Sequence, residues 1–395
     1  MLNFYSGYSK AVNPKKAIKE SLNMVSTLTN EDISLVILHT TSGHNPEQLI
    51  NALHEQLPNV QVVGCTGSGV VSNSFVNETV RSIALMAVTG SEYVTGMIEG
   101  VTQTNCFELS KSVAQELKNK KDSINMLMAF GPGLFVNGEN IIAGITDVFS
   151  DSVPILGGLA GFNGTEPKTP ILYNQGVFEQ SIAVIGFFDP TLSVVQASHH
   201  GYLPESNQKF KVTKTTGPFV DEIDNKPAWP TLMKSFDLPS STQPSEVISL
   251  LALGTDLSDS EQIAYDNKHK LRAPLILSED SNSMMFQSTI EEGMVLTSCQ
   301  RDEDYLMNGV DDLNSRLKNQ YNGKKPIAIF QTDCMARGRM SNGVIEKEEI
   351  INNLQNGITQ EKTAWLGLYA FGEFAQLEGK NHYHNYTASI SVLLR

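Results

Sequence analysis

The chain has 395 residues, 40% of them hydrophobic and 18% charged, with a formal net charge of −14. That length predicts two or three domains with ample buried core. The negative charge argues against nucleic acid or an anionic membrane as partner, since both select clustered Lys and Arg. Met1 to Ser9 lacks the features of a signal peptide, no apolar run reaches the ~18 residues of a transmembrane helix, and Cys65, Cys106, Cys299 and Cys334 are widely spaced. These features together read as a cytoplasmic protein.

A repeated pattern organises the elements. In the first copy, Asn13-Pro14 caps and starts a helix carrying Ala17, Ile18, Leu22 and Val25 at helical spacing. A buried strand follows at Asp32–Leu38, then a second helix opened by Asn45-Pro46-Glu47-Gln48, with Leu49, Ile50, Leu53 and Leu57 on its apolar face. Next come the strand and glycine turn Val62–Gly69 and a strand at Ser82–Val88. The second copy repeats this order through a helix with Leu109, Val113 and Leu117, a strand at Ile124–Met128 and a helix with Ile141, Ile142, Ile145 and Phe149. Its turn is Ile155–Gly161 and its last strand Ser181–Gly186. The third copy has a helix over Asp302–Lys318, a strand at Ile327–Phe330, a helix with Ile350, Ile351 and Leu354, a turn at Leu366–Glu373 and a strand at Ser389–Leu394.

Each unit thus reads helix–strand–helix–strand–turn–strand, which builds a mixed α/β sheet covered by helices. Between the second and third copies, His199 to Val247 is rich in proline and holds one brief strand-like run, Val212–Gly217. Dense proline marks irregular connection, so the division predicted is 1–210 and 211–395. Short apolar stretches at 247–253, 275–277, 283–290 and 294–298 read as strands of the second domain.

Glycine serves where backbone must turn sharply or admit a close neighbour, so three such turns on related units predict loops converging on a pocket. Cys65 sits in the first turn and is a nucleophile if a base or helix N-terminus lowers its pKa. The other copies place Gly158 and Leu368 at that position, so the architecture does not need the thiol. Asp333–Arg339 follows a strand directly. Its Arg337 can grip a carboxylate with a planar fork, and Glu373 follows the third turn, so this pair either forms an ion pair or holds the two ends of a zwitterion. The candidate ligand set is Cys65, Thr66, Arg337, Glu373 and Asn385. His382 and His384 share one face of a strand, the spacing of a chelating pair without an evident third ligand. His199-His200 lies at the domain junction, where an exposed imidazole could serve as an axial haem ligand held without covalent attachment.

Several segments together resemble the FIST family of bacterial signal-input proteins. In the first half these are Val63–Gly69 and Pro154–Gly161; in the second they are Glu222–Ala228, Cys334–Gly338, Gly372-Glu373 and His384–Thr387. The resemblance covers nearly the whole chain. It implies a cytoplasmic sensory module that binds a small ligand and reports to a kinase, cyclase or chemotaxis-type output. It also implies, for some members, nitric oxide sensing through haem alongside a histidine kinase, with His199, His200 and His384 as the candidate haem ligands here. No kinase signature or helix-turn-helix remains once both halves are assigned, so signalling is expected to pass to a separate partner. The competing reading is an enzyme using Cys65 or Cys334 as nucleophile.

Overall fold

The computed structural model describes residues 1–338, 341–359 and 363–395, apart from the side chains of 206 and 207. Local chemistry starts the helices as expected. The Asn13 side chain accepts a hydrogen bond from Lys16 N at 3.0 Å and opens helix Pro14–Ser26; Asn45 does the same for Gln48 N at 3.1 Å and opens Pro46–Gln56. Asn137 caps Gly138–Phe149 through Asn140 N, and Asp302 caps Glu303–Lys318 through Tyr305 N. Each cap satisfies an N–H that the first helical turn leaves without a partner. Helices Cys106–Lys120 and Val344–Ile358 complete the set of six in the repeats.

All three units build the same sheet. Unit one orders its strands Asn3–Ser9, Ile83–Thr89, Ile33–Thr41 and Gln61–Gly67. Unit two uses Tyr93–Glu99, Ser181–Phe187, Met126–Gly131 and Ile155–Leu159, and unit three uses Ser193–His199, Ala388–Leu394, Pro326–Cys334 and Ala364–Ala370. Only the last two strands of each set run parallel, because a helix crosses over between them. Each leading strand is absent from the periodicity-based reading. It lies at the edge and is half-buried along much of its length, so its pattern is weak.

Each unit then gives away a hairpin. Gly69–Ser72 and Phe75–Asn77 leave unit one and pair with Ala364–Ala370 of unit three. Ile171–Tyr173 and Gly176–Phe178 leave unit two and pair with Gln61–Gly67 of unit one. Gly372–Leu377 and Lys380–His384 leave unit three and pair with Ile155–Leu159 of unit two. The exchange is cyclic and turns every sheet into a six-stranded one. The sheets' inner faces form one central core, with Ile37 and Val63, Met128 and Leu156, and Phe330 and Leu366 supplied by units one, two and three. Alternate residues such as Val36, Leu38 and Val62 face the covering helices instead. Burial on both faces accounts for the continuous apolar runs.

The third unit is interrupted. Between Ser193–His199 and Glu303–Lys318 the chain builds an antiparallel sheet from Tyr202–Thr216, Phe219–Ile223, Leu251–Asp256, His269–Arg272, Pro274–Leu277, Met284–Phe286 and Val295–Arg301. Phe210, Trp229, Leu232, Phe286 and Leu296 belong to its own core. Its ends meet, since Tyr202 pairs with Arg301. The segment read as irregular connection is therefore largely regular structure, strands followed by two short helices, and within it Tyr202–Thr216 is one element whose register shifts between Pro204 and Lys209. Proline offers no ladder N–H, and the shift lets pairing resume beyond it. Residue 210 lies inside this strand. Among the described residues, no helix is long and apolar enough to cross a membrane.

Candidate functional site

The three glycine turns do converge, and they bond to one another. Ser68 N donates to Tyr369 O at 2.9 Å, Gly161 N to Thr66 O at 2.9 Å and Phe371 N to Leu159 O at 3.1 Å, closing a ring through all three units. Glycine is required just before these bonds: a Cβ on Gly64 would overlap Leu38 O, and one on Gly157, at φ +111°, would overlap Ala129 O. Cys65 and Thr66 lie buried in this ring. The Cys65 thiol is 3.7 Å from His39 Nδ1, a nucleophile–base arrangement in outline. Burial pushes the thiol far up and pulls His39 down to about 4, with only a backbone hydrogen bond opposing on the imidazole. Both shifts favour the neutral pair, opposite to an activated thiolate.

Arg337 does not pair with Glu373 as the sequence reading allows. It sits in the short helix Met335–Arg337, where its Nε donates to Asp333 Oδ1 at 2.9 Å and its Nη1 to His200 O at 3.0 Å. The guanidinium turns back onto the carboxylate four residues earlier because the strand end places both in the same buried space. Arg339, in the same motif, lies outside the described residues. Glu373 is left to different company. It is fully buried, its Oε2 accepts from Thr387 N at 3.2 Å, and its Oε1 has no hydrogen-bond partner. Burial first, and the Asp333 charge in addition, hold its carboxyl well above the usual range, while Thr387 N–H, the nearby Cys334 thiol and Arg337 oppose this. Burial and the Glu373 charge likewise raise Cys334.

The exchanged hairpin of unit three brings more polar groups to Glu373. His384 faces it across the ladder, buried and neutral, with both ring nitrogens unpartnered. Asn385 Nδ2 donates to Tyr383 Oη at 2.8 Å and more weakly to Phe371 O, while its Oδ1 has no partner. Tyr383 Oη donates to Gln287 Oε1 at 2.8 Å, and Gln287 Nε2 donates to Gly133 O at 2.6 Å. The Tyr383 ring fits only because residues 138 and 372 are glycine, since a Cβ on either would overlap it. This explains the glycine of Gly372-Glu373 by packing.

The inserted sheet closes over this cluster. Tyr265 Oη is 2.7 Å from Thr387 Oγ1, and its ring is 5.5 Å from that of His384. His382 is held between Lys270 Nζ at 3.3 Å and Glu261 at 3.3 Å. Lys270 and Arg272, two apart on the edge strand His269–Arg272, both reach Glu139 at the start of the unit-two helix, and Thr289 N donates to the same carboxylate. Burial tends to raise Glu139, but Arg272 and Lys270 overcome it and hold the carboxyl at about 2. Glu139, Lys270, Gln287, Tyr265 and Tyr383 were not singled out from sequence. One usable signal existed, the alternation of Lys270 and Arg272 about Leu271 at the head of the apolar run 273–277; an acidic residue in a first helical turn is too common to draw notice.

His199 and His200 are buried, contrary to the expectation of exposed imidazoles. The strand Ser193–His199 runs beneath the helix Glu303–Lys318, so His199 lies against Gly309 and 4.6 Å from the Tyr305 ring. Both ring nitrogens of His200 are engaged, Nε2 at 3.1 Å from His269 O and Nδ1 accepting from Tyr202 N at 3.0 Å. Burial lowers these imidazoles to about 2 and about 3. A haem needs a free imidazole nitrogen facing a slot wide enough for the macrocycle. His200 has no free nitrogen, His199 is packed against Gly309 and Tyr305, and His384 sits between Tyr265 and His382 among polar groups. These residues, as placed, do not fit a haem. Among the described residues no group of three or more His, Cys, Asp or Glu could hold a metal ion. Two open surface depressions, lined by residues such as Ser26 to Glu31 and Tyr8 to Ala11, flank the first helix and include none of the candidate residues.

Comparison with known proteins bears on the whole chain. A FIST N domain matches residues 34–226 and a FIST C domain residues 239–376. No curated protein matches. Among solved structures, a chorismatase is similar at 8% identity, with 100% of this chain and 99% of that one covered and a TM-score of 0.35. PurLQS from Thermotoga maritima is similar at 9% identity, with 100% and 72% covered and a TM-score of 0.24. Scores that low carry no argument about fold or activity. The two domain matches together span most of the repeat core and the inserted sheet, and on them the chain belongs to the FIST family of sensory domains in signal transduction.

Proposed function

We propose that the protein is a cytoplasmic sensor that binds a small polar ligand at the junction of the unit-three hairpin, unit two and the inserted sheet, and signals to a separate output protein such as a histidine kinase. The observation that carries this is a run of buried atoms without partners along the exchanged hairpin of unit three: Glu373 Oε1, the nitrogens of His384 paired opposite it, and Asn385 Oδ1 just beyond the strand end. A buried polar atom without a hydrogen bond costs about 1–3 kcal/mol, and a ligand that supplies the partners recovers it. The inserted sheet covers the cluster through Tyr265 and the Lys270–Glu139–Arg272 contact. Ligand that binds the closed arrangement more tightly than an opened one shifts the population between them, and that shift is the signal. Buried, unactivated Cys65 and Cys334 favour binding over nucleophilic catalysis.

The test is a thermal-shift screen of the purified protein against a broad panel of small polar metabolites. A stabilising compound should lose most of its effect on Glu373→Gln, and a panel that leaves Tm unmoved throughout would count against the site. Protein expressed with haem supply should show no Soret band; a band lost on His199→Ala, His200→Ala or His384→Ala would replace this reading with the haem-based nitric oxide sensor.

A further inference from the structure

Three elements meet around Lys270. It lies on the inserted-sheet strand His269–Arg272, Glu139 opens the unit-two helix Gly138–Phe149, and His382 lies on the unit-three hairpin strand Lys380–His384. Lys270 is buried, and its Nζ stands 3.1 Å from Glu139 Oε1 and 3.3 Å from His382 Nδ1. Glu139 is matched without it, since Arg272 donates to the same oxygen and Thr289 N to the other. An ammonium can only donate, so His382 Nδ1 accepts from Lys270 and the ring proton sits on Nε2. That nitrogen faces Glu261 Oε1 at 3.3 Å, off the hydrogen-bond line, so the carboxylate acts on the ring by its charge. Glu261 is itself fixed, because its Oε2 accepts from Ser258 N and Oγ. Amine, imidazole and carboxylate in that order are the arrangement that activates a nucleophile, and a second cation beside a desolvated lysine assists it. Burial and the Arg272 charge lower Lys270 to about 8, and burial lowers His382 to about 4. The side chains of His382 and Glu139 are 17% and 23% exposed, which opens the rim of the cluster to small molecules.

We propose that Lys270 captures a small aldehyde or ketone reversibly, as an iminium ion held against Glu139, with His382 carrying the protons. The assignment rests on the junction-site reading above and adds the chemical class and the atom that takes it. The ammonium first passes one proton to His382 Nδ1. Its nitrogen then attacks the carbonyl carbon, and a second N–H proton moves to the carbonyl oxygen. His382 returns the first proton to that oxygen, the C–O bond breaks and water leaves. Ammonium plus carbonyl thus becomes iminium plus water, with no net change in protons. The positive charge facing Glu139 is the same before and after, so capture leaves the ion pair intact, and added water reverses it.

Acetaldehyde with sodium cyanoborohydride tests this, since hydride reduces an iminium to a stable ethylamine. The full chain is treated near pH 7 and digested, and peptide mass spectrometry follows ethylation of each lysine with time. Lys270 should be modified ~10-fold faster than the exposed Lys15 and Lys168, because more of its amine is unprotonated at that pH. Lys270→Arg keeps a cation on Glu139 and should remove the fast adduct from the intact mass. His382→Phe keeps a ring without Nδ1 and should slow Lys270 by ~10-fold or more while Lys15 reacts as before. If that variant does not fold, the selectivity of the natural chain decides alone. Lys270 modified no faster than Lys15 overturns the capture, and fast modification that survives His382→Phe overturns the proton relay. Neither result touches the junction-site reading, which falls only if compounds without a carbonyl group also leave Tm unmoved.

Discussion

Buried imidazoles set the behaviour of this protein at the scale of single residues. His199 and His200 titrate in the folded chain at about 2 and about 3, against 6.5 when free, chiefly through burial. Their folded pKa values are lowered, so the unfolded chain binds protons between pH 6.5 and 3 that the native state refuses. Their contribution to stability is complete above 6.5 and declines as pH falls. Urea midpoints should therefore drop from pH 6.5 to pH 4, and His199→Gln should flatten that slope by up to ~1.4 kcal/mol per pH unit. An unchanged slope would mean the ring is exposed in solution. The glycines that cradle Tyr383 make a second test. Gly138→Ala should destabilise by ~1–3 kcal/mol through overpacking, and combined with Tyr383→Leu its penalty should be less than additive, because the ring it strikes is gone.

At the scale of elements, the edge strand His269–Arg272 and the helix Gly138–Phe149 are joined by one carboxylate and two cations. Glu139→Gln leaves Lys270 and Arg272 largely buried without their counter-charge, a change worth ~3 kcal/mol in such settings. Most of that loss should appear as local opening. Hydrogen exchange is expected to quicken over residues 255–272 while the strand Met126–Gly131 keeps its protection. Uniform acceleration throughout would show that the contact supports the whole fold and not a cover. The elements themselves were largely legible. Asn13-Pro14 and Asn45-Pro46 marked helix starts by capping chemistry that is complete within three residues, and the apolar runs at Asp32–Leu38 and Ile327–Phe330 marked the doubly buried strands Ile33–Thr41 and Pro326–Cys334. The edge strands escaped notice because half-buried positions leave little periodicity.

Over the whole molecule, the cyclic hairpin exchange makes the three units depend on one another. Residues 1–92 alone lack the strand Ile171–Tyr173 that completes their sheet, and their inner face would expose Leu35, Ile37 and Val63. That fragment should show no cooperative unfolding transition by circular dichroism; a sharp transition would show the exchange to be dispensable. The inserted sheet differs, because its ends pair at Tyr202 and Arg301. Replacing residues 203–300 by a short glycine–serine turn should leave the core folded. Cys334, which packs against Tyr202, Ala252, Leu271 and Cys299 in the natural chain, should then react with a thiol reagent that leaves it untouched in the full protein.

The amino-acid sequence by itself determined the repeat, the capped helices, the glycine turns and the family, since each depends on residues close together in the chain. Tertiary structure alone decided where the hairpins go, because their partners lie about a hundred or more residues away and any exposed strand edge offers the same hydrogen bonds. It also decided that Arg337 pairs with Asp333, that Glu373 is left as an unmatched buried acid, and that His199 and His200 are interior. Charge type can be read from sequence. Burial cannot, and burial sets what a charged group does.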